Sequence, residues 1–369
     1  MRVVANLSFV VPGAVGGSEE YSVRLLDAVR ASDDSGIDLA VAGSSALFNA
    51  YPRLAPADHL SFRGPARLRA YRAAVESTWL TRVTSDAALV HHFGGRLPSR
   101  RTARTVVTVH DIQPLDMPHN FSPLKRRYLE WALPRTVNGA DMICTPSRWV
   151  ADRLIERMAA DPERVRVVSS TSNPGRIRGP VAPEVAVIGD RPLVLYPAVT
   201  HPHKNHSVLL TAMHRVVREH PDAVLVLTGG PGRAHDEVLT QARRLDPDGL
   251  FIRHLGRVAA STLAELTARA DVVAFPSLYE GFGLPVLEAM HRGTPVVAAD
   301  ATALPEVLGG AGVLVAPDDS EAWGHALSAL LGDDERRAGL AVAGTARAAS
   351  YSVEGAARTL TAAWRDVAA

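Results

Sequence analysis

Residues 271–293 constrain the fold more tightly than any other stretch. Asp271-Val-Val-Ala-Phe-Pro276 is an apolar run of the kind buried on both faces of a parallel sheet. It leads into Ser277-Leu-Tyr-Glu280-Gly-Phe282-Gly283-Leu284-Pro285-Val-Leu-Glu288-Ala-Met290, a glycine-rich turn that opens a helix. Pro285 suits the first helical turn, where a missing N–H costs nothing, and Gly293 before Thr294-Pro295 marks the stop. Strand, turn and helix in that order make one step of a parallel α/β sheet. The amides of Phe282, Gly283 and Leu284 then stand at a helix N-terminus, a natural seat for an anion.

The same alternation runs along the chain. Strands are expected at 2–9, 37–42, 88–92, 104–109, 141–145 and 165–169, with helices at 19–30, 122–137 and 147–158. A second series begins at Pro192-Leu-Val-Leu-Tyr196 and continues at 223–228, 250–254, 271–275, 295–298 and 312–315. Between the series, Ser169-Ser-Thr-Ser-Asn-Pro-Gly175 and the glycines and prolines after it read as a linker. The expected division is a first domain over 1–175, a linker over 176–190 and a second domain over 191–350. A terminal helix, about 353–367 within 351–369, carries Trp364.

Two carboxylates flank the glycine turn. Glu280 sits in the turn, and Glu288 lies one turn inside a largely apolar helix, where an unpaired carboxylate is costly. Carboxylates at a helix mouth repel bare phosphate but accept well from sugar hydroxyls. A ligand with an anionic middle and hydroxyl-rich ends fits, and a nucleotide sugar is such a ligand. Glu280 and Glu288, with seven residues between them inside EGFGLPVLEAM, resemble the signature of the retaining glycosyltransferases of family 4. Leu255-Gly256-Arg257-Val258, Gly293-Thr-Pro-Val-Val297 and Ala303-Leu-Pro-Glu306-Val307 agree with it. The resemblance is densest over 192–330 and weaker over nearly all the rest. It implies the α/β GT-B fold, two Rossmann-like domains with parallel sheets facing a central cleft, and a terminal helix crossing back to the first domain.

It also implies roles. Glu288 would hold the ribose hydroxyls of the donor, while Glu280 and the amides of Phe282, Gly283 and Leu284 hold its sugar and diphosphate. Gly16 and Gly17, between the first strand and the first helix, would reach the diphosphate. Lys204, in Tyr196-Pro-Ala-Val-Thr-His-Pro-His-Lys204-Asn205-His206, would neutralise the leaving group. The family's second cation is missing: Val199 stands five residues before Lys204, and His203 fills the alternative place. His201, His203 or an arginine from elsewhere is left to replace it. His110, after the strand ending at Val109, would contact the donor sugar, with Asp111 and His92 on the acceptor side. Gly229, in Thr228-Gly229-Gly230-Pro231-Gly232, would flank the nucleotide, and Arg257-Val258 the base. The glycines at 13–17 lack dinucleotide-fingerprint spacing. His91-His92 has no cysteine or carboxylate at ligand spacing, and Asp318-Asp319 reads as a helix cap, so no cofactor or bound divalent metal is expected.

Composition narrows the partners. The net charge of +1 conceals 24 Lys and Arg against 17 Asp and Glu over 1–180, and 16 against 22 over 181–369. Basic residues gather at Arg63–Arg72, Arg96–Arg104 and Lys125-Arg126-Arg127, a sign that suits an anionic acceptor or bilayer surface. No aromatics interleave with them, which argues against nucleic acid. Cys144 is the only cysteine and sits in an apolar stretch, more in keeping with a core residue than a reactive thiol. No apolar run approaches a membrane span. The expected protein is cytoplasmic, with scope for peripheral contact at the inner face of the membrane. It transfers a hexose from a nucleotide-diphosphate sugar, GDP-mannose or a deoxysugar nucleotide foremost, to a glycan, lipid-linked or small-molecule hydroxyl. A non-catalytic subunit supporting a partner transferase, and a nucleotide-sugar epimerase, are the alternatives.

Overall fold

The structure is a computed structural model that describes residues 1–14, 16–32, 36–55, 59–172 and 182–369. The chain divides into two units, Met1–Thr171 with Tyr351–Ala369, and Ser172–Ser350. Residues 173–181 of the expected linker lie outside the described residues, and its remainder holds a short helix, Pro183–Ala186.

The first unit contains β1 (Arg2–Asn6), β2 (Asp38–Ser44), β3 (Leu60–Phe62), β4 (Leu89–His92), β5 (Arg104–Thr108), β6 (Met142–Thr145) and β7 (Val165–Val167). They form one parallel sheet in the order β3-β2-β1-β4-β5-β6-β7. The pleat explains why these strands read as unbroken apolar runs. Val3 and Ala5 of β1 face a core shared with the helices Gly17–Ala31 and Val353–Ala368, while Val4 faces Leu80 and Val90 on the other side. Trp364 on the terminal helix is fully buried in the first core, as are Leu360 and Cys144. Beyond short helices such as Ser45–Ala50 and Gln113–Asp116, two further elements were not expected from the sequence. One is β3, three residues at the sheet edge; the other is the helical run from Arg69 to Val83, whose middle, Glu76–Leu80, is a π-helix.

The second unit contains β8 (Leu193–Pro197), β9 (Val224–Thr228), β10 (Ile252–His254), β11 (Val272–Phe275), β12 (Val296–Ala299) and β13 (Val313–Val315). Their order, β10-β9-β8-β11-β12-β13, repeats the arrangement of the first sheet. In each sheet the strand order reverses once, between β1 and β4 and between β8 and β11, and ligands of such sheets bind at the carboxyl ends beside that reversal. The helix after β11 is Leu284–His291, with Pro285 in its first turn, as the sequence predicts. Asp319 caps the helix Ser320–Leu331 by accepting from the amide of Ala322 at 2.9 Å. No helix among the described residues is long and apolar enough to cross a membrane.

Candidate active site

The loops that leave β8 and β11 meet at the reversal of the second sheet. Leu278 N–H donates to the His203 carbonyl at 2.8 Å, and Ser277 Oγ donates to the same oxygen at 3.3 Å. Tyr196, fully buried at the end of β8, donates its hydroxyl to the Lys204 carbonyl at 2.5 Å and packs edge-on against Phe275. These contacts aim Lys204 across the reversal, where its Nζ pairs with Glu280 Oε1 and lies 5.7 Å from the Phe275 ring centre. The side chains are only 18% and 14% exposed. The Glu280 amide donates to Thr302 Oγ1 at 3.0 Å, which fixes the turn that carries the carboxylate.

Gly283 caps the next helix with φ +103°, a conformation that favours glycine, and a Cβ there would come within 2.7 Å of Leu304. Phe282, Gly283 and Leu284 are all buried. Among the described residues, the amides of Gly283 and Leu284 donate to no protein acceptor. Glu288 lies half-buried one turn inside. Burial lowers the pKa of Arg292, four residues on, and the Glu288 charge acts against that shift. A second stitched pair of loops lies at the carboxyl ends of β8 and β9. Gly229 has φ +131°, and a Cβ on it would come within 2.4 Å of the Ala198 carbonyl oxygen. Its amide donates to Gly256 O at 2.7 Å, which sets the exposed Arg257 and half-buried Val258 beside it. Among the described residues, no three His, Cys, Asp or Glu side chains cluster as a metal site would require.

In the first unit, His110 follows β5 and donates from Nε2 to the Phe93 carbonyl at 2.9 Å, with Tyr21 edge-on to its ring at 5.2 Å. Burial lowers its pKa to about 4. The ring is therefore neutral near pH 7, and Nδ1 is left as an acceptor. Asp111 is exposed and accepts from the Gln113 amide at 3.0 Å, a turn-capping bond. Gly16 has φ +81° and precedes the helix Gly17–Ala31. The loop is held by the buried Glu19, whose Oε1 accepts from Gly13 N–H at 3.0 Å and from the Tyr51 hydroxyl at 2.7 Å.

Here the structure corrects one expectation. His92 is not an open acceptor-side ligand: it is 3% exposed and accepts at Nδ1 from Asn6 Nδ2 at 3.0 Å. Burial, with Arg96 and Arg101 nearby, lowers its pKa to about 3. His91 is likewise enclosed, between Thr108 Oγ1 at 2.8 Å and the Trp364 indole N–H at 3.0 Å. Both strand-end histidines are packed into the interior of the first unit. Glu76, which the sequence reading missed, lies on the other side of Asn6, whose Nδ2 reaches both His92 Nδ1 and Glu76 Oε1. It is 5% exposed and accepts from Ser8 Oγ and Arg96 Nη2, both at 2.5 Å. It comes from the π-helical turn, a distortion frequent at functional sites, and that distortion has no sequence motif.

The likenesses to known proteins follow the same division. The family "Glycosyltransferase Family 4" matches residues 15–172, and "Glycosyl transferases group 1" matches residues 191–333. The O-antigen chain mannosyltransferase B of Escherichia coli is 30% identical over 299 residues, 79% of this chain and 78% of that one. The D-inositol 3-phosphate glycosyltransferase of Corynebacterium kroppenstedtii is 32% identical over 288 residues, 73% of this chain but 62% of that enzyme's length. Among solved structures, Anabaena HepE in complex with UDP and glucose superposes with a TM-score of 0.76 at 18% identity, over 99% of this chain and 100% of that one. Sucrose-phosphate synthase from Thermosynechococcus elongatus gives 0.74 at 20% identity, over 99% and 98%. Two parallel sheets of the same reversed order, the paired loops at the reversal and these likenesses agree: the chain has the GT-B fold and belongs to glycosyltransferase family 4.

Proposed function

We propose that the chain transfers a hexose from a nucleotide-diphosphate sugar to a hydroxyl of a glycan, a glycolipid or a small molecule, with retention at the anomeric carbon. One observation carries this reading: the Lys204–Glu280 pair at the sheet reversal, beside the open amides of Gly283 and Leu284. A cation, a hydroxyl acceptor and helix N-terminal amides in one place match the diphosphate and sugar of such a donor. Glu280 and the amides of Phe282, Gly283 and Leu284 bind the sugar and diphosphate, Glu288 the ribose. The Gly229 loop and Arg257-Val258 flank the nucleotide. In the first unit the Gly16-Gly17 amides take an anion, His110 Nδ1 accepts from a sugar hydroxyl, and Asp111 serves the acceptor.

In the reaction the bond from the anomeric carbon to the phosphate oxygen breaks, and its electron pair stays with the diphosphate. The acceptor oxygen bonds from the same face, and its proton passes to a donor phosphate oxygen. Lys204 stabilises the charge that grows on the leaving group, a task done elsewhere by a divalent metal. The reaction therefore runs without a resident metal, and EDTA leaves its rate unchanged. Likeness to a mannosyltransferase supports GDP-mannose as donor, together with the Tyr196-Pro-Ala…His-Lys-Asn-His stretch. The helix Pro123–Gly139 exposes Leu124, Tyr128 and Trp131 beside Lys125-Arg126-Arg127, which supports peripheral contact with an anionic bilayer and a lipid-linked acceptor.

A thermal-shift panel of GDP-, UDP-, ADP- and dTDP-sugars tests the reading, followed by NMR of the product's anomeric carbon. GDP-mannose stabilises the chain most and yields a product of unchanged anomeric configuration. Binding without turnover overturns it in favour of a non-catalytic subunit, and donor isomerised without acceptor in favour of an epimerase.

A further inference from the structure

The diphosphate of a nucleotide sugar carries two negative charges, and a third develops as the sugar leaves, so one lysine is a sparse counter-charge. The two places where family members carry an arginine are Val199 and His203. Val199 has no charge to offer. His203 stacks on His201, with ring centres 5.7 Å apart, and its burial beside Lys204 lowers its pKa to about 3. It is neutral near pH 7, which leaves His201 and an arginine of another element as candidates for the second cation.

The loop after β9 brings one. Hydrogen bonds fasten it to the loop after β8, Thr200 N–H to Gly230 O at 3.4 Å among them. Ala198 N–H donates to Thr228 O at 2.8 Å, and Gly232 N–H to Thr200 Oγ1 at 2.8 Å. Arg233 N–H donates to His201 Nδ1 at 3.4 Å, and Ala234 N–H to Thr200 O at 2.9 Å. The approach is so close that side chains at 229 and 232 would collide with backbone, their Cβ atoms falling 2.4 and 2.5 Å from the carbonyl oxygens of Ala198 and Thr200. The backbone of Arg233 is thereby clamped against residue 201, three positions from Lys204. Its side chain is exposed, and among the described residues its guanidinium makes no hydrogen bond and pairs with no carboxylate, not even Asp236 or Glu237 in the helix that follows. Its charge reaches His203, which also feels Lys204.

We propose that Arg233 is the second cation of the donor site, binding the diphosphate opposite Lys204 and stabilising the nucleoside diphosphate as it leaves. This rests on the donor-site reading of the second unit. A guanidinium is suited to the task because its planar fork meets two phosphate oxygens at once. When the anomeric C–O bond breaks, the electron pair moves onto the β-phosphate oxygen, within the field of both cations.

The test uses the full chain and calorimetric titration with GDP, UDP, ADP and dTDP, then with the monophosphate of whichever binds best. Arg233→Ala weakens the diphosphate about 10- to 100-fold, the size of a lost charge-assisted contact, and leaves the monophosphate within about 2-fold. Val199→Arg in the Arg233→Ala background restores diphosphate affinity from the position where family members carry the charge. Arg243→Ala, on the helix His235–Leu245, controls for bulk charge and changes neither. Diphosphate affinity unchanged in Arg233→Ala, or lost equally in Arg243→Ala, overturns the assignment of Arg233 while leaving the donor site standing. A wild-type chain that binds none of the four diphosphates overturns both.

Discussion

Lys204 and Glu280 are 76 residues apart in sequence, yet each is the other's counter-charge in a nearly closed setting. Such a pair is poised rather than strongly stabilising, because desolvation offsets most of the attraction between the two charges. On the proposed reading, a phosphate entering the site would compete for the ammonium and leave Glu280 free to accept from hydroxyls. Replacing Lys204 with Ala is expected to lower kcat by about 10²- to 10³-fold, the usual cost of losing a preorganised charge stabiliser, with a smaller change in donor KM. Steady-state kinetics decide it, and turnover equal to wild type refutes the role. Both residues were legible in the sequence from the turn chemistry around them. Their pairing was not, since it depends on Tyr196 and Ser277 holding two loops together. Glu76 was illegible altogether: its partners Asn6, Ser8 and Arg96 are 70, 68 and 20 residues away, and the helical run that carries it has no motif.

At the scale of elements, periodicity located most strands, and the helices given bounds in the first unit and at the terminus, to within a few residues, because strand and helix patterns act over neighbouring residues. It missed β3, a Leu-Ser-Phe edge strand between His59 and Arg63 with no longer apolar run around it, the helix Ser45–Ala50 and the run Arg69–Val83. The helix Pro123–Gly139 was anticipated, but its exposure was not. Only Ala132, Leu133, Thr136 and Val137 are buried, while Leu124 is 82%, Tyr128 41% and Trp131 51% exposed. Arg135 lies over the Trp131 ring at 4.3 Å, and Lys125 over Phe121 at 4.4 Å. An apolar stripe bordered by cations binds an anionic interface through both terms. Co-sedimentation with phosphatidylglycerol vesicles is expected to fall about 10-fold or more in Leu124→Glu/Trp131→Ala, given the apolar area removed. Wild-type sedimentation that is equal on neutral phosphatidylcholine, or unchanged in the variant, removes this surface from the functional reading.

For the whole molecule, buried neutral histidines set the response to acid. His92 and His203 have pKa values lowered to about 3, and His110 and His206 to about 4, each chiefly by burial. In the unfolded chain they titrate near the ordinary value of about 6.5. Below that pH the unfolded state binds protons that the folded state refuses, so stability is complete above about 6.5 and is lost as pH falls toward 4. Each contributes a slope of about 1.4 kcal/mol per pH unit in that window. Urea unfolding at pH 7.5, 6.0 and 5.0 measures it, and a flat profile refutes the buried neutral state.

Left to itself, the sequence determined the parallel α/β character of both units, the Glu280–Glu288 turn, the cap at Asp319 and the family. All are written in local spacing, turn residues and apolar runs, which act over a few positions along the chain. Only the tertiary structure decided that Lys204 meets Glu280, that His91 and His92 are packed away, that Glu76 bonds Ser8 and Arg96 and that the Arg233 backbone is held against His201. Those outcomes depend on which loops come together when strands far apart in sequence become neighbours in a sheet, and on which polar groups are then shut off from water.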